Sequence, residues 1–316
     1  MKTVLVTGTL GFIFSNFIRH AVTLPGYWWT GVDKASRPHN LGNWFDHERY
    51  RFYLADIADA HAIEVVFARE RPDIVIGGAA ESFVDDSIRD DDPFWHTNVV
   101  GTRRLVASCL KYGARYVHIS TDEVYGQQLA KDAIGWVENV PMAPRNPYAA
   151  SKASAEHVVT AAHETHGLQY QITRSCNVYG PRQKKENLVP RIIYSLLHNE
   201  PVPIHGTGIN FRQYVHVEDK IRALMAIVER GAINTTYNIG GDTILTNLQM
   251  VDTIAEQMGV APVVVNIEDR KAHDFGYKVS SNRLRELGWA PKVSFEDGIR
   301  DTVDYYRRLY GHAEAA

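Results

Sequence analysis

Over the first half of the chain, short runs of β-branched and aromatic residues alternate with stretches whose apolar positions recur every three or four residues. The runs Thr3–Thr7, Trp29–Asp33, Tyr50–Leu54, Ile74–Gly77, Arg115–Ser120 and Tyr170–Arg174 read as strands. Between them Phe12–Ala21, Ala60–Arg69, Asn98–Lys111 and Tyr148–Thr165 carry helical periodicity. Strand and helix in strict alternation predict an α/β protein, a doubly wound parallel sheet of the Rossmann kind. Right-handed crossovers then bring the carboxyl ends of the strands to one edge, where such sheets bind ligands.

Beyond Asn177 the pattern loosens. Helices are expected near Leu188–His198, Lys220–Arg230, Asn247–Met258 and Phe295–Tyr310, and strands near Pro201–His205, Tyr237–Ile239 and Val263–Ile267, with a return segment at Gln213–Val217. Mixed elements after a complete nucleotide fold predict a smaller α/β carboxyl-terminal lobe. Residues 1–177 are expected to form the nucleotide-binding domain, with return segments near 213–241, and residues 178–316 mainly a substrate-binding lobe. A chain of 316 residues is long for one hydrophobic core. No internal repeat or low-complexity tract is visible.

Composition narrows the function classes. Apolar residues make up 45% and charged residues 22%, ordinary for a soluble globular protein, with only His312 to Ala316 reading as a loose tail. A formal net charge of −3 argues against nucleic-acid binding. The basic run Arg182-Gln183-Lys184-Lys185 reads as a solvated face or a phosphate contact. Two cysteines, Cys109 and Cys176, make no disulfide framework, and the scattered histidines show no ligand spacing, so no metal is expected. The chain opens on a strand without a charged leader, and no apolar run approaches the length of a membrane span; a cytoplasmic location without membrane attachment is the expectation.

Two constellations carry chemistry. Gly8-Thr9-Leu10-Gly11-Phe12-Ile13-Phe14 follows the first strand and opens a helix, where glycines permit a tight turn and a close approach to pyrophosphate. Asp33 ends the second strand, placed to accept from a ribose diol and to repel a 2′-phosphate, which favours NAD over NADP; Lys34 next to it softens that repulsion. Asp56 and Ile57 after the third strand, and Gly77-Gly78-Ala79-Ala80 after the fourth, offer small and polar surfaces for adenine and ribose. Phe14 stands where a third glycine lets helix and strand pack closely, so its ring must either displace the helix or fill a gap. In the second constellation, Tyr148 and Lys152 share one helical face, where an ammonium favours the phenolate and makes the tyrosine a base. Thr121, Asp122 and Glu123 end the fifth strand and set a hydroxyl and two carboxylates before that tyrosine.

Together these motifs resemble the extended short-chain dehydrogenase/reductase family, and within it the nucleotide-sugar 4,6-dehydratases. The likeness also runs through Ala79-Ala80-Glu81-Ser82, Thr97 to Thr102, Asn177-Val178-Tyr179-Gly180-Pro181, Arg212, Val217-Glu218-Asp219, Tyr237 to Gly241, Asp269-Arg270 and His273-Asp274. A lone Tyr-x-x-x-Lys means little in a chain with 16 tyrosines; the ordered set is far more specific. The resemblance implies dehydration of a dTDP- or UDP-glucose type sugar. Tyr148 takes the C4 hydroxyl proton, Thr121 orients that oxygen, Glu123 removes the C5 proton and Asp122 protonates the departing C6 hydroxyl. NAD is expected to stay bound through the cycle.

The resemblance further places Ser82, Asn177, Asn187, Leu188, Pro203, Ile204, His205, Arg212, Asp269, Arg270 and His273 around the substrate. Arg212 is the best candidate for the diphosphate, since a guanidinium donates in pairs and keeps its charge. Asn187 has a second reading as a helix cap, Asn177 as a backbone partner, and Asp269 with Arg270 as a surface ion pair. The chain departs from the pattern at Phe83 and Asp86, where histidine and arginine are usual, at Asn187 in place of lysine, and at Gly77 in place of histidine. An epimerase, 5,6-dehydratase or decarboxylase using the same redox base stays open, as does a noncatalytic NAD- or sugar-nucleotide-binding protein. A homodimer is implied through the helices near Asn98–Lys111 and Tyr148–Thr165, whose outward faces would carry Leu105, Val106, Val158, Val159 and Ala162, residues that could equally be intramolecular core.

Overall fold

The computed structural model describes residues 1–36, 38–131 and 133–311; the expected tail, His312 to Ala316, lies outside the described residues. Strands β1 (Lys2–Thr7), β2 (Tyr27–Asp33), β3 (Tyr50–Leu54), β4 (Ile74–Gly77), β5 (Arg115–Thr121) and β6 (Tyr170–Ser175) all fall where the apolar runs predict them. They are followed by β7 (Asn177–Tyr179), β8 (Val202–His205), β9 (Phe211–His216), β10 (Thr235–Ile239), β11 (Thr243–Thr246), β12 (Val264–Ile267) and β13 (Gly276–Tyr277). The helices are α1 (Phe12–Ala21), α2 (Ala60–Glu70), α3 (Val84–Arg89), α4 (Asp92–Phe94), α5 (Thr102–Tyr112), α6 (Pro147–His166), α7 (Leu188–Leu197), α8 (Val217–Arg230), α9 (Asn247–Met258), α10 (Asn282–Arg285) and α11 (Phe295–Gly311).

Seven parallel strands form the main sheet in the order β10-β6-β5-β4-β1-β2-β3, so the chain steps outward from β1 to β3 and then reverses, β4 returning to the other side of β1. Val4, Leu5 and Val6 in β1 are all fully buried. Alternation sends Val4 and Val6 to one face, with Ile74, Ile76 and the apolar stripes of α1 and α8, and sends Leu5 to the other, with Val75, Tyr116 and residues of α2, α5 and α6. Strand β10 extends the sheet beside β6, and α8 lies against α1 on the first face. A smaller core joins α7, α9 and α11, covered by the sheet β11-β9-β13 with β7 at its edge and by the pair β12-β8.

One open choice is decided and one expectation corrected here. Of the two readings of Leu105, Val106, Val159 and Ala162 the structure shows the core one, since they pack into the second face of the main sheet, and Val158 is half-buried. The helix expected at Asn98–Lys111 begins as a π-helical stretch, Trp95–Gly101, before α5. Its wider turn seats buried Asn98, which bonds to the Glu81 backbone and to Ser151, with Gly101 against Ile57, where a Cβ would lie 2.6 Å from the Ile57 side chain.

Candidate active site

At the carboxyl edge of β1, β2 and β4, Gly8 turns the chain with φ of 80°, and a Cβ there would lie 2.9 Å from the Ala79 backbone. Only glycine suits that close approach. Gly11 then starts α1, whose first N–H groups face a cleft of about 330 Å³. Asp33 is fixed by the Leu10 and Ala35 N–H groups, which donate to its two carboxylate oxygens at 3.0 and 2.8 Å, and burial raises its pKa. Lys34 does not offer an unpaired positive charge: its ammonium lies 2.9 Å from Glu81 and donates to Thr97 at 3.2 Å. Each cofactor candidate lines this cleft: Gly8, Gly11, Phe12, Ile13, Asp33, Lys34, Asp56, Ile57, Ala79, Ala80, Tyr148 and Lys152.

Gly77, in contrast, is no part of the cleft lining. A Cβ on it would lie 2.0 Å from the Tyr116 hydroxyl oxygen, so its missing side chain makes room for a core tyrosine. Phe14 resolves in the same way. Its ring lies over Gly78, where a Cβ would stand 2.1 Å from ring carbon Cε2, and it packs 5.8 Å from Phe17 in the core. The ring fills a gap that glycine leaves at Gly78, although unlike Gly77 it also lines the first cleft.

The acid–base groups are set by β5 and α6. Thr121 ends β5 and accepts from the Glu123 N–H at 3.3 Å, which folds Asp122–Tyr125 into a short 3₁₀ turn and aims both acids into the cleft. Asn146 caps α6 through its Oδ1, with Pro147 at the first helical position, while its Nδ2 donates to Glu123 at 3.1 Å. One asparagine thus ties Glu123 to the start of the helix that carries Tyr148. One turn on, Lys152 is buried and donates to the Ile119 carbonyl. The Tyr148 hydroxyl and the Thr121 side chain lie close together in the same cleft.

Burial dominates the electrostatics. It pushes the Asp122 carboxyl up to about 8, with the Glu123 charge adding to the effect, and it also raises Glu123, against the opposing pull of the Asn146 bond and the Arg212 charge. It draws Lys152 down to about 8, with Glu156 opposing, and holds the Tyr148 hydroxyl well above its usual range, helped by Glu123. An acid protonated at neutral pH beside a second, hydrogen-bonded carboxylate is the arrangement that separates a proton donor from a proton acceptor.

A second cleft of about 220 Å³ opens from the first and shares Ser82, Phe83, Glu123, Asn177 and Asn187 with it. Leu188, Pro203, Ile204, His205, Arg212, Arg270 and His273 complete the candidates on its wall. Asn187 starts α7 without making a side-chain cap, and Asn177 is exposed at the head of β7. Asp269 is absent from the lining and does not pair with the Arg270 side chain; it holds the His273 imidazole at 2.6 Å. Arg270 instead reaches across to Asp85 at 2.8 Å. Asp86 pairs with Arg89 on α3. Arg212 lies over the Tyr277 ring, 4.6 Å from its centroid.

The model of the NAD dependent epimerase/dehydratase family matches residues 4–240. Over 313 residues the chain is 41% identical to the low-salt glycan biosynthesis protein Agl12 of Haloferax volcanii, covering 96% of this chain and 98% of that one. It is also 41% identical to a dTDP-glucose 4,6-dehydratase of Streptomyces griseus, covering 96% and 94%. The chain belongs to the NAD-dependent epimerase/dehydratase family. Among solved structures it resembles DesIV, the dTDP-glucose 4,6-dehydratase of Streptomyces venezuelae with NAD and TYD bound, at 38% identity and a TM-score of 0.91 over 98% of each chain. The UDP-glucose 4-epimerase of Thermotoga maritima, solved with UDP-glucose, is 31% identical with a TM-score of 0.90 over 98% of this chain and 99% of that one.

The first cleft fits the dinucleotide of this family: a glycine cradle with no room for a Cβ, a helix N-terminus, and an anchored carboxylate at the end of β2. Sequence reasoning gave no role to Asn146, Tyr277 or Lys220, which line these clefts. Asn146 was legible as an asparagine before a proline at a helix start, and Lys220 as a lysine within the apolar stripe of α8. Tyr277 lies on a strand of two residues, below the reach of any periodic signal.

Proposed function

We propose that the chain is an NAD-dependent dehydratase of a nucleotide-activated hexose of the dTDP- or UDP-glucose type, yielding the 4-keto-6-deoxy sugar. One observation carries this reading: Thr121, Asp122, Glu123, Tyr148 and Lys152 line one cleft, beside a glycine cradle and within reach of a second cleft that holds Arg212. The near-full-length identity to dTDP-glucose 4,6-dehydratases supports it. The Gly8–Gly11 turn would hold NAD, which when bound would supply the hydride acceptor for C4, the donor for C6, and a positive charge near the Tyr148 hydroxyl that burial otherwise keeps protonated.

The side chains supply the proton steps. Tyr148 accepts the C4 hydroxyl proton, with Thr121 orienting that oxygen and Lys152 adding positive charge one turn along the helix. The C4 ketone acidifies C5–H, which Glu123 removes. Asp122, protonated at neutral pH, gives its proton to the C6 hydroxyl, which leaves as water. Gly8, Gly11 and the start of α1 hold the pyrophosphate, and Asp33 accepts from the ribose diol. Lys34 is paired to Glu81, which leaves its charge less available to a 2′-phosphate. Arg212 serves the substrate diphosphate, with Arg270 once it is released from Asp85. The paired acids at 122 and 123 weigh against an epimerase, which needs neither.

A homodimer paired through α5 and α6 belongs to this reading, supported by exposed Ala107 and Ala161 and half-buried Val158 on those helices. So does a cytoplasmic setting, in keeping with two free, buried cysteines. Among the described residues no helix is long and apolar enough to cross a membrane. Incubating the protein and NAD with dTDP-glucose and with UDP-glucose tests the function. A base-dependent 4-keto-6-deoxy chromophore is expected from at least one of them, and none from either contradicts it.

A further inference from the structure

Lys220 lies in the buried stripe of α8 with Val217, Ile221 and Leu224, and its side chain is fully buried. Its Nζ has no hydrogen-bond partner among the described residues, although it lines the first cleft with Asp122, Lys152 and Cys176. Asp122, 2% exposed, has an equally unpartnered oxygen, Oδ2. A methionine would fill the Lys220 site without burying an unpaired amine, so the fold gains nothing from lysine here.

Counting protons through the proposed dehydration, on which this inference rests, gives the amine a task. Tyr148 gains the C4 hydroxyl proton. Glu123 takes the C5 proton and returns it to C5 as hydride reaches C6. Asp122 loses its proton to the departing hydroxyl, which leaves as water. Each turnover therefore ends with one proton too many on Tyr148 and one too few on Asp122, a buried carboxylate beside Glu123.

We propose that Lys220 is a positioning residue acting through Asp122: its ammonium balances the carboxylate left by water loss and returns a proton to it before the next turnover. The neutral amine then recovers a proton from water in the cleft, and Tyr148 gives up its extra proton to solvent before the next substrate, which closes the count. The groups acting on Lys220 are Asp122, Lys152 and Cys176, and those acting on Asp122 are Glu123, Arg212 and the Thr121 hydroxyl. Burial pushes the Cys176 thiol up, so it stays neutral. No hydrogen bond or ion pair joins Lys220 to Asp122 among the described residues, so the proton crosses through water in the cleft that both line; burial loosens the amine's hold on its proton and tightens the carboxyl's, in the direction of that transfer.

The test compares wild type with Lys220→Met, following the Asp122 carboxyl carbon by ¹³C NMR across pH together with the pH profile of kcat. Loss of the nearby cation should raise the Asp122 midpoint, and the basic limb of kcat with it, by about one pH unit. kcat should fall on the order of 10-fold, while Tm holds or rises. An unchanged midpoint and limb overturn the proposal, as does a fall in Tm with an unshifted profile, the mark of a purely structural lysine. If Lys220→Met does not fold, ¹⁵N NMR of the wild-type lysines decides: Lys220 Nζ must respond to the titration of Asp122, and independent midpoints overturn it. A wild type that forms no product from either sugar defeats the dehydration reading alone, since the Asp122 shift is read without turnover.

Discussion

The two ends of the joined clefts are built differently. On the main-sheet side, Asp33, Thr121, Tyr148 and Lys152 sit at strand ends or on a long helix, and backbone bonds, a helix cap or deep burial fix them. On the other side, strands are two to six residues long, and the charged candidates are held by side-chain pairs, Arg270 with Asp85 and His273 with Asp269. Such pairs are partly exposed, are worth little on their own and exchange readily for a ligand's phosphates. On the proposed reading, the difference teaches that proton chemistry is placed on the more firmly fixed part, and recognition on the part that can re-pair.

Substitutions should break this contrast in order of size. Tyr148→Phe removes the redox base without disturbing the core, and kcat should fall by about 10²–10⁴-fold with Tm and NAD binding nearly unchanged. Phe14→Gly attacks the rigid side instead. It empties the space over Gly78 and puts glycine inside α1, so thermal or urea unfolding should show a loss of roughly 3–5 kcal/mol for the ring and about 1 more for the helix. NAD binding should then weaken with stability; tighter binding in a protein of unchanged Tm would show that the ring obstructs the cleft. Arg270→Ala should leave Tm alone and raise KM by about 10-fold with kcat little changed, the signature of uniform binding. An equal fall in kcat would move Arg270 into the chemistry. The smallest effect is in pH: Asp122 works only while protonated, so kcat should decline as pH rises through about 8, the value to which burial lifts it. A profile flat beyond pH 9 would deny it the acid's role.

How much was legible follows the same divide. A strand buried on both faces needs an unbroken apolar run, as in Val4-Leu5-Val6, and a helix laid on it needs a stripe such as Phe14, Phe17, Ile18 and Ala21, so the main sheet could be read from composition and period alone. Elements as short as β7, β11, β13 and α10 carry no period, and their places are set by tertiary pairing. Within the site, residue types and spacing marked Tyr148, Lys152 and the acids. They gave no hint that Arg270 reaches Asp85, 185 positions away in the chain, because that pairing exists only once α3 and the segment after β12 are side by side, nor that Asp269 turns to His273, four residues on in a loop without periodic pattern. Phe14 was misleading alone; the compensating glycine lies at position 78.

The central claim is that one buried set of side chains moves the protons, and NAD bound beside them would carry hydride, as hydrogen passes from C4 to C6 of a single sugar and water is lost between them. Incubating the protein with dTDP-glucose carrying deuterium at C4, and reading the product by NMR, tests it most directly. The account predicts that the label appears at C6 of the 4-keto-6-deoxy sugar without dilution by solvent. Label returned to C4, or lost to water, would contradict it.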